Sequence, residues 1–92
     1  DPKYDYRIGQ IYLQNSEYSD AIKYLKIARD KGWKSKPGSL ELLIGICFIE
    51  LDDFDSARVE LSKASTLGKE KDVTPWLSYM DSTESLRAAS AK

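Results

Sequence analysis

One stretch, from Ser39 to Leu51, most constrains what this chain can fold into. Written out, SLELLIGICFIEL places apolar side chains on every face of a helix. A helix that is apolar all round has to be buried on most of its sides, so the remaining sequence must supply the helices that cover it. The apolar residues of this stretch are Leu40, Leu42, Leu43, Ile44, Ile46, Cys47, Phe48, Ile49 and Leu51.

Length and charge narrow the classes of function. The chain has 92 residues, enough for one domain, and because it begins at Asp1 without a signal-like apolar segment we expect a fragment of a longer protein. Its 14 Lys and Arg residues are interspersed with 15 Asp and Glu residues, which argues against nucleic acid or an anionic membrane as a partner. The longest apolar run spans 8 residues. A membrane-spanning helix needs roughly 20, so we expect no membrane insertion of this fragment.

The residue types that most enzymes use are scarce. The sequence has no histidine, the commonest metal ligand and general base, and Cys47 alone cannot form an internal disulfide. The carboxylates of Asp52, Asp53 and Asp55 are predicted to cap a helix, since a calcium loop needs more oxygen ligands and a specific glycine over about 12 residues. We therefore predict a chain that is not an enzyme and that holds no cofactor or metal.

Two helices are predicted in the first third of the chain. Pro2 suits a first helical turn, and apolar or aromatic residues follow at helical spacing to about Gln14. Ser16 is the predicted N-cap of a second helix that continues until Gly32. Because the connection is only two or three residues long, the two helices are expected to pack antiparallel as a hairpin.

A second hairpin follows one longer loop, GWKSKPGS, in which Ser35 and Ser39 supply turn and capping chemistry. After the central helix, Asp52 is placed to cap another short turn, and a further apolar stripe ends at Gly68.

A fifth helix is predicted to begin at Thr74 and Pro75, which read as an N-cap and a first-turn proline. Trp76, Tyr79 and Met80 follow on it. From Asp81 onward the sequence thins to Ser, Ala and charged residues, so we expect a frayed end.

The two halves repeat each other at a constant separation of 36 positions. Small residues recur where the helices of a hairpin would approach closely, and aromatic residues recur around that contact. The matched residues are Ile8, Gly9, Tyr12, Tyr18, Ala21, Leu25 and Ala28 in the first half, and Ile44, Gly45, Phe48, Phe54, Ala57, Leu61 and Ala64 in the second.

At these positions the sequence resembles the tetratricopeptide repeat (TPR) family, whose pattern has Gly and an aromatic residue on one helix and Ala, a large apolar residue and Ala on the next. The resemblance implies an all-α fold in a single domain, 1–92: two antiparallel helix-turn-helix repeats, about 2–35 and 38–71, and a C-terminal capping helix at about 74–88. Such an arrangement is a fragment of a right-handed superhelical solenoid.

The resemblance also implies that the first helix of each repeat lines a concave groove that binds a peptide or helix of a partner protein. Two interpretations of the apolar groove residues remain open: they bind the partner, or the C-terminal helix or a second copy of the chain covers them. Trp33 either packs under its own loop or is a secondary partner contact. The groove residues implied are Tyr6, Gln10, Leu13, Leu42, Ile46 and Ile49.

A narrower resemblance rests on four segments: RIGQIYL, the KGWKSKPG loop, LLIGICFIEL and the closing WLSY. They are similar to the C-terminal repeats of bacterial TPR proteins that accompany TonB energy-transduction systems. This resemblance implies a periplasmic or cell-envelope location. The function expected is therefore a non-catalytic interaction module, with a structural repeat unit that stacks on neighbouring repeats or self-associates as the alternative.

Overall fold

The chain is all-α in a computed structural model that describes residues 1–34 and 36–91. A wide helical turn, Ser65–Lys69, joins the last two helices, and none of the described helices is long and apolar enough to cross a membrane. The predicted all-α class is confirmed. The helices of the described residues are α1 (Pro2–Gln14), α2 (Tyr18–Asp30), α3 (Ser39–Glu50), α4 (Phe54–Ala64) and α5 (Glu70–Ser90).

The helices pack in chain order. α1 lies against α2 and α3 against α4, while α2 also contacts α3, and α5 contacts both α3 and α4. The central helix α3 contributes to both core clusters, as its apolar surface requires. The N-terminal core cluster consists of Ala21, Ile22, Leu25, Leu40, Ile44 and Cys47. The C-terminal core cluster consists of Ile49, Phe54, Ala57, Leu61, Ala64, Val73 and Met80.

Two glycines let the helices of each hairpin approach closely. A Cβ atom added at Gly9 would lie 2.9 Å from Cγ of Leu25, and one added at Gly45 would lie 2.7 Å from Cδ2 of Leu61. Both distances are shorter than ordinary carbon contacts. The matched pairs of the sequence repeat therefore perform the same packing role in both hairpins.

The turns inside the two hairpins differ from the prediction, because neither Ser16 nor Asp52 caps the following helix. Both adopt left-handed backbone angles, with φ of 59° and 63°. In each turn the next amide, that of Glu17 or Asp53, donates to a carbonyl five residues earlier at 2.9 Å. Ser16 and Asp52 therefore end the helices that precede them. A left-handed residue after the last helical turn allows the following amide to bond to a carbonyl of that turn that would otherwise be unpaired.

The next residue along occupies the N-cap position in each hairpin. Asp53 accepts a hydrogen bond from the amide of Ser56 at 3.1 Å and caps α4, whereas the Glu17 side chain makes no capping hydrogen bond. Helix capping by the acidic cluster is therefore confirmed, but by Asp53. Ser35, predicted to supply turn chemistry, lies outside the described residues.

Helix α5 begins at Glu70 and not at Thr74 as predicted, so Pro75 lies inside it. The Thr74 hydroxyl donates to the carbonyl of Glu70 at 2.9 Å instead of capping a helix start. Val73, which the earlier start brings onto the helix, is fully buried in the C-terminal core cluster. Burial of this side chain explains why the chain is helical before the local Thr-Pro signal.

Helix α5 continues to Ser90, close to the predicted end of the capping helix at about 88. Arg58 of α4 pairs with Asp81 at 3.0 Å and with Glu84, and Arg87 pairs with Asp52 at 2.7 Å. These contacts hold the distal half of α5 against the second hairpin.

Candidate partner-binding surface

The six predicted groove residues form two matched rows. Tyr6, Gln10 and Leu13 on α1 stand 36 positions before Leu42, Ile46 and Ile49 on α3. Within each row the spacing is four and then three residues, which places the three side chains on one face of their helix. The rows therefore occupy corresponding faces of the two hairpins.

The row on α1 is organised by a hydrogen bond and a ring stack. Gln10 Nε2 donates to the hydroxyl oxygen of Tyr6 at 3.0 Å. The Tyr6 ring stacks on Trp33, with 5.0 Å between ring centroids and 20° between planes. Leu13 is half-buried against the N-terminal core cluster. The row thus presents a polar pair whose positions are set by the residues around it.

Trp33 packs against its own molecule, the first of the two alternatives left open by its position in the loop. It is half-buried against the N-terminal core cluster as well as stacked on Tyr6. Its Nε1 is buried and finds no hydrogen-bond acceptor among the described residues. The indole therefore fixes the Tyr6 ring and ties the loop to α1.

The row on α3 ranges from half-buried to buried. Ile46 is half-buried, and Leu42 is half-buried against the C-terminal core cluster. Ile49 is itself a buried member of that cluster, together with Val73 and Met80 of α5. Helix α5 therefore helps to cover one end of the row, and Leu42 and Ile46 keep apolar surface in contact with solvent.

An ion-pair network holds α3 in position between its neighbours. Arg29 on α2 lies 3.4 Å from Glu41 on α3 and 2.8 Å from the buried carboxylate of Glu60 on α4. Burial alone would lower the pKa of Arg29, but the hydrogen bonds and charges of Glu60 and Glu41 raise it above its ordinary value. The guanidinium is thus a permanent positive link between three helices.

The single cysteine of the chain lies in the core. Cys47 is fully buried in the N-terminal core cluster. Burial, assisted by the charge of Glu50, raises the pKa of the Cys47 thiol to about 11. A thiol in this environment stays protonated near neutral pH and is a poor nucleophile.

The predicted carboxylate cluster lies beside an open cleft of about 340 Å³. Asp53 caps α4, and Asp52 pairs with Arg87, so two of its carboxylates are engaged in holding helices. Within residues 1–34 and 36–91 no three Cys, Asp or Glu side chains are grouped so that they could hold a metal ion.

Fold and surface together define an all-α protein built from repeated helical hairpins. Comparisons with protein-family models, with curated proteins and with solved structures found no match to this chain.

Proposed function

We propose that this chain is a non-catalytic protein-interaction module of the TPR type, which binds an extended or helical segment of a partner protein along the two matched rows. The observation that carries the proposal is the equivalence of the rows: residues of one register on α1 and α3 retain solvent contact at Tyr6, Gln10, Leu42 and Ile46. Repeated hairpins of this kind commonly build extended binding surfaces from equivalent positions.

The chemistry of the rows indicates what kind of segment would bind. The Tyr6 and Gln10 pair offers hydrogen-bonding groups, and Leu42 and Ile46 offer apolar surface. We therefore expect a segment with a polar part toward α1 and one or two large apolar side chains toward α3. Burial of one such side chain contributes roughly 1.5 to 3 kcal/mol before the costs of association.

Selection of peptides tests the proposal directly, because it does not require the natural partner. Peptides selected from a random display library on the wild-type chain would be measured by calorimetry against Ile46→Asp, because a carboxylate placed there opposes apolar contact. We expect the dissociation constant to rise at least about tenfold. Leu86→Asp is the matched control, since Leu86 is the most exposed large apolar residue and lies on the distal half of α5.

A second variant, Gln10→Lys, tests the groove independently in case Ile46→Asp does not fold. Gln10→Lys changes a half-buried groove position on α1, and circular dichroism would show that both variants remain helical. The proposal fails if selected peptides bind both folded variants as tightly as the wild type.

We further propose that the partner belongs to a TonB-linked complex of the bacterial cell envelope, on the basis of the RIGQIYL, KGWKSKPG, LLIGICFIEL and WLSY segments. Affinity capture from an envelope extract tests this part separately. A TonB-system component should be captured by the wild type and by Leu86→Asp, and lost with Ile46→Asp.

A further inference from the structure

Trp33 lies in the loop between the two hairpins, and the backbone that leads to it is held by both helices of the first hairpin. Gly32 adopts a left-handed conformation with φ of 81°, and the Trp33 amide donates to the carbonyl of Ala28 at 2.9 Å, which ends α2. Lys31, two residues before Trp33, pairs with Asp5 of α1 at 2.8 Å. The loop therefore delivers Trp33 to a defined place beside α1.

The indole of Trp33 supports the Tyr6 ring. It is half-buried against the N-terminal core cluster and stacks on Tyr6, with 5.0 Å between ring centroids. Because the stack restricts rotation of the Tyr6 side chain, it also fixes the position of the hydroxyl at the end of the ring. Gln10 donates from Nε2 to this hydroxyl at 3.0 Å, so the three side chains form one connected unit.

The second hairpin offers an internal comparison. Gly68 stands 36 positions after Gly32 and is also left-handed, with φ of 102°. The second hairpin has different side chains at the equivalents of the three connected residues: Leu42 for Tyr6, Ile46 for Gln10 and Lys69 for Trp33. The polar pair and the indole that supports it therefore occur together in the first hairpin and are replaced together in the second.

The Tyr6 and Gln10 pair can offer a ligand both a donor and an acceptor. While Gln10 Nε2 donates to the Tyr6 oxygen, the Tyr6 hydroxyl can still donate its own proton and Gln10 Oε1 can accept. An amide group matches this pattern, because its carbonyl accepts and its N–H donates, whereas a carboxylate only accepts and an ammonium group only donates. Both side chains are half-buried, which further disfavours a charged ligand group. Lys3, one turn before Tyr6, is exposed to water, which screens its charge.

We propose that Trp33 is a positioning residue of the groove, which holds Tyr6 so that the Tyr6 and Gln10 pair binds an uncharged amide group of the partner segment. The amide belongs to a peptide bond or to an Asn or Gln side chain, which offer the same chemistry. The role assigned to Trp33 rests on the proposed groove function and adds the chemistry accepted at its α1 end. A loop residue outside both rows thereby sets the specificity of the groove.

A first measurement needs no ligand. The order parameter of the Gln10 side-chain amide, from ¹⁵N relaxation of the intact labelled chain, is compared between the wild type, Trp33→Leu and Trp33→Phe. Leucine keeps apolar contact with the core cluster but cannot stack as an aromatic ring does. We expect the order parameter to fall below about 0.6 in Trp33→Leu and to be restored in Trp33→Phe. A merely structural role of Trp33 would change the unfolding midpoint alone.

Binding is then measured with the tightest peptide from the display selection on the wild-type chain. Trp33→Leu should raise its dissociation constant at least about tenfold. Asn and Gln residues of the peptide are replaced one at a time by Asp and Glu, and its backbone amides are N-methylated one at a time, which distinguishes a side-chain amide from a peptide bond. The change at the bound amide should cost little more in Trp33→Leu than Trp33→Leu costs alone, because both changes remove the same contact.

Tyr6→Phe is a second variant, which keeps the ring stack and removes the hydroxyl. It should weaken binding of the peptide as much as Trp33→Leu does, and adding Trp33→Leu to it should then have little effect. Circular dichroism shows whether each variant is folded. Trp33→Met, which also supplies a flexible apolar side chain, takes the place of Trp33→Leu if that variant does not fold.

Three results would overturn the role of Trp33 and leave the groove function intact. They are a Gln10 order parameter that Trp33→Leu leaves unchanged, a peptide that Ile46→Asp weakens but Trp33→Leu does not, and tighter binding when a carboxylate replaces the amide. A selected peptide that neither Ile46→Asp nor Gln10→Lys weakens would instead overturn the groove function, and the role of Trp33 with it.

Discussion

The guanidinium of Arg29 donates to the carboxylate of Glu60 at 2.8 Å, across a separation of 31 positions in the chain. Glu60 is the buried charged residue of the described core, and Lys63 approaches it only to 3.9 Å. This pair links the first hairpin to the second. Removing this ion pair should therefore lower the stability of the whole fold.

Replacing Arg29 by Met should lower the free energy of unfolding by about 2 to 4 kcal/mol, because it leaves a buried carboxylate without its main partner. Urea unfolding followed by circular dichroism measures the change. The double variant Arg29→Met with Glu60→Met should recover most of the loss, since no buried charge remains. A double variant as unstable as the sum of the single variants would contradict this account.

Gly45→Ala should destabilise the chain despite the better helix propensity of alanine. The added Cβ would lie 2.7 Å from Cδ2 and 2.9 Å from Cγ of Leu61. Overpacking typically costs about 1 to 3 kcal/mol, whereas the gain in propensity is about 1 kcal/mol. Thermal unfolding should show a lower midpoint for Gly45→Ala than for the wild type.

The effect of Gly45→Ala on stability should change sign when the Leu61 side chain is shortened. In a Leu61→Ala background the Cγ and Cδ atoms are absent, so Gly45→Ala should be neutral or stabilising there. An equal loss in both backgrounds would show that the cost comes from the backbone and not from the contact with Leu61.

Cys47 should resist alkylation in the folded chain. With its pKa raised to about 11 by burial and, second, by Glu50, the thiolate fraction at pH 8 is lower than in the unfolded chain. Compared with an ordinary thiol pKa near 9, this value lowers the thiolate fraction at pH 8 about a hundredfold. Reaction with iodoacetamide should therefore be at least about a hundredfold slower in buffer than in urea.

The same shift predicts a loss of stability at high pH. The protonated Cys47 thiol contributes to the free energy of unfolding in full below the pKa of the thiol in the unfolded chain, which is near 9. This contribution is lost as the pH rises toward about 11, because the thiol releases its proton at lower pH in the unfolded chain than in the folded chain. Cys47→Ala should remove this part of the pH dependence. Equal alkylation rates in buffer and in urea would contradict the first of these two Cys47 predictions, because they would show that the thiol is accessible in the folded chain.

Arg87→Ala should loosen the distal half of α5 without unfolding the chain. Arg87 pairs with Asp52 at 2.7 Å and lies 5.3 Å from the centre of the Phe54 ring. Both ionic partners are exposed, so the global free energy of unfolding should change by only about 0.5 to 1 kcal/mol. Hydrogen exchange of residues 82–91 should rise several-fold.

Arg87→Lys is the matched control for the charge. It keeps a cation near Asp52 but lacks the planar guanidinium that covers Phe54, so we expect an intermediate rate of exchange. Unchanged exchange in Arg87→Ala would mean that other contacts hold this end of the helix.

Local patterns predicted the two hairpins well and the C-terminal end of α5 closely, at about 88 against the observed Ser90, but they placed its start at Thr74 and not at Glu70. The signal of Thr74 and Pro75 is strong as a helix start, yet the helix begins at Glu70, where Val73 can be buried. The polar composition after Asp81 indicated fraying, and only the contacts of Arg58 and Arg87 with neighbouring segments show why it is helical.

The register of the candidate surface was predictable, and the exposure of its members was not. A repeat of 36 positions pairs Tyr6 with Leu42, Gln10 with Ile46 and Leu13 with Ile49. It cannot show that α5 residues pack around Ile49 or that Trp33 stacks on Tyr6, because neither contact lies within one helix.

The sequence by itself determined the all-α class, the helices of the hairpins and the close contacts at Gly9 and Gly45, since residue spacing along a helix encodes which side chains share a face. The tertiary structure decided which of those faces are covered. Ile44 and Ile8 have the same side chain in the same register, but one is buried and the other is partly exposed. The difference arises because exposure depends on neighbouring helices, and α2 lies against Ile44 but not against the outer face of α1.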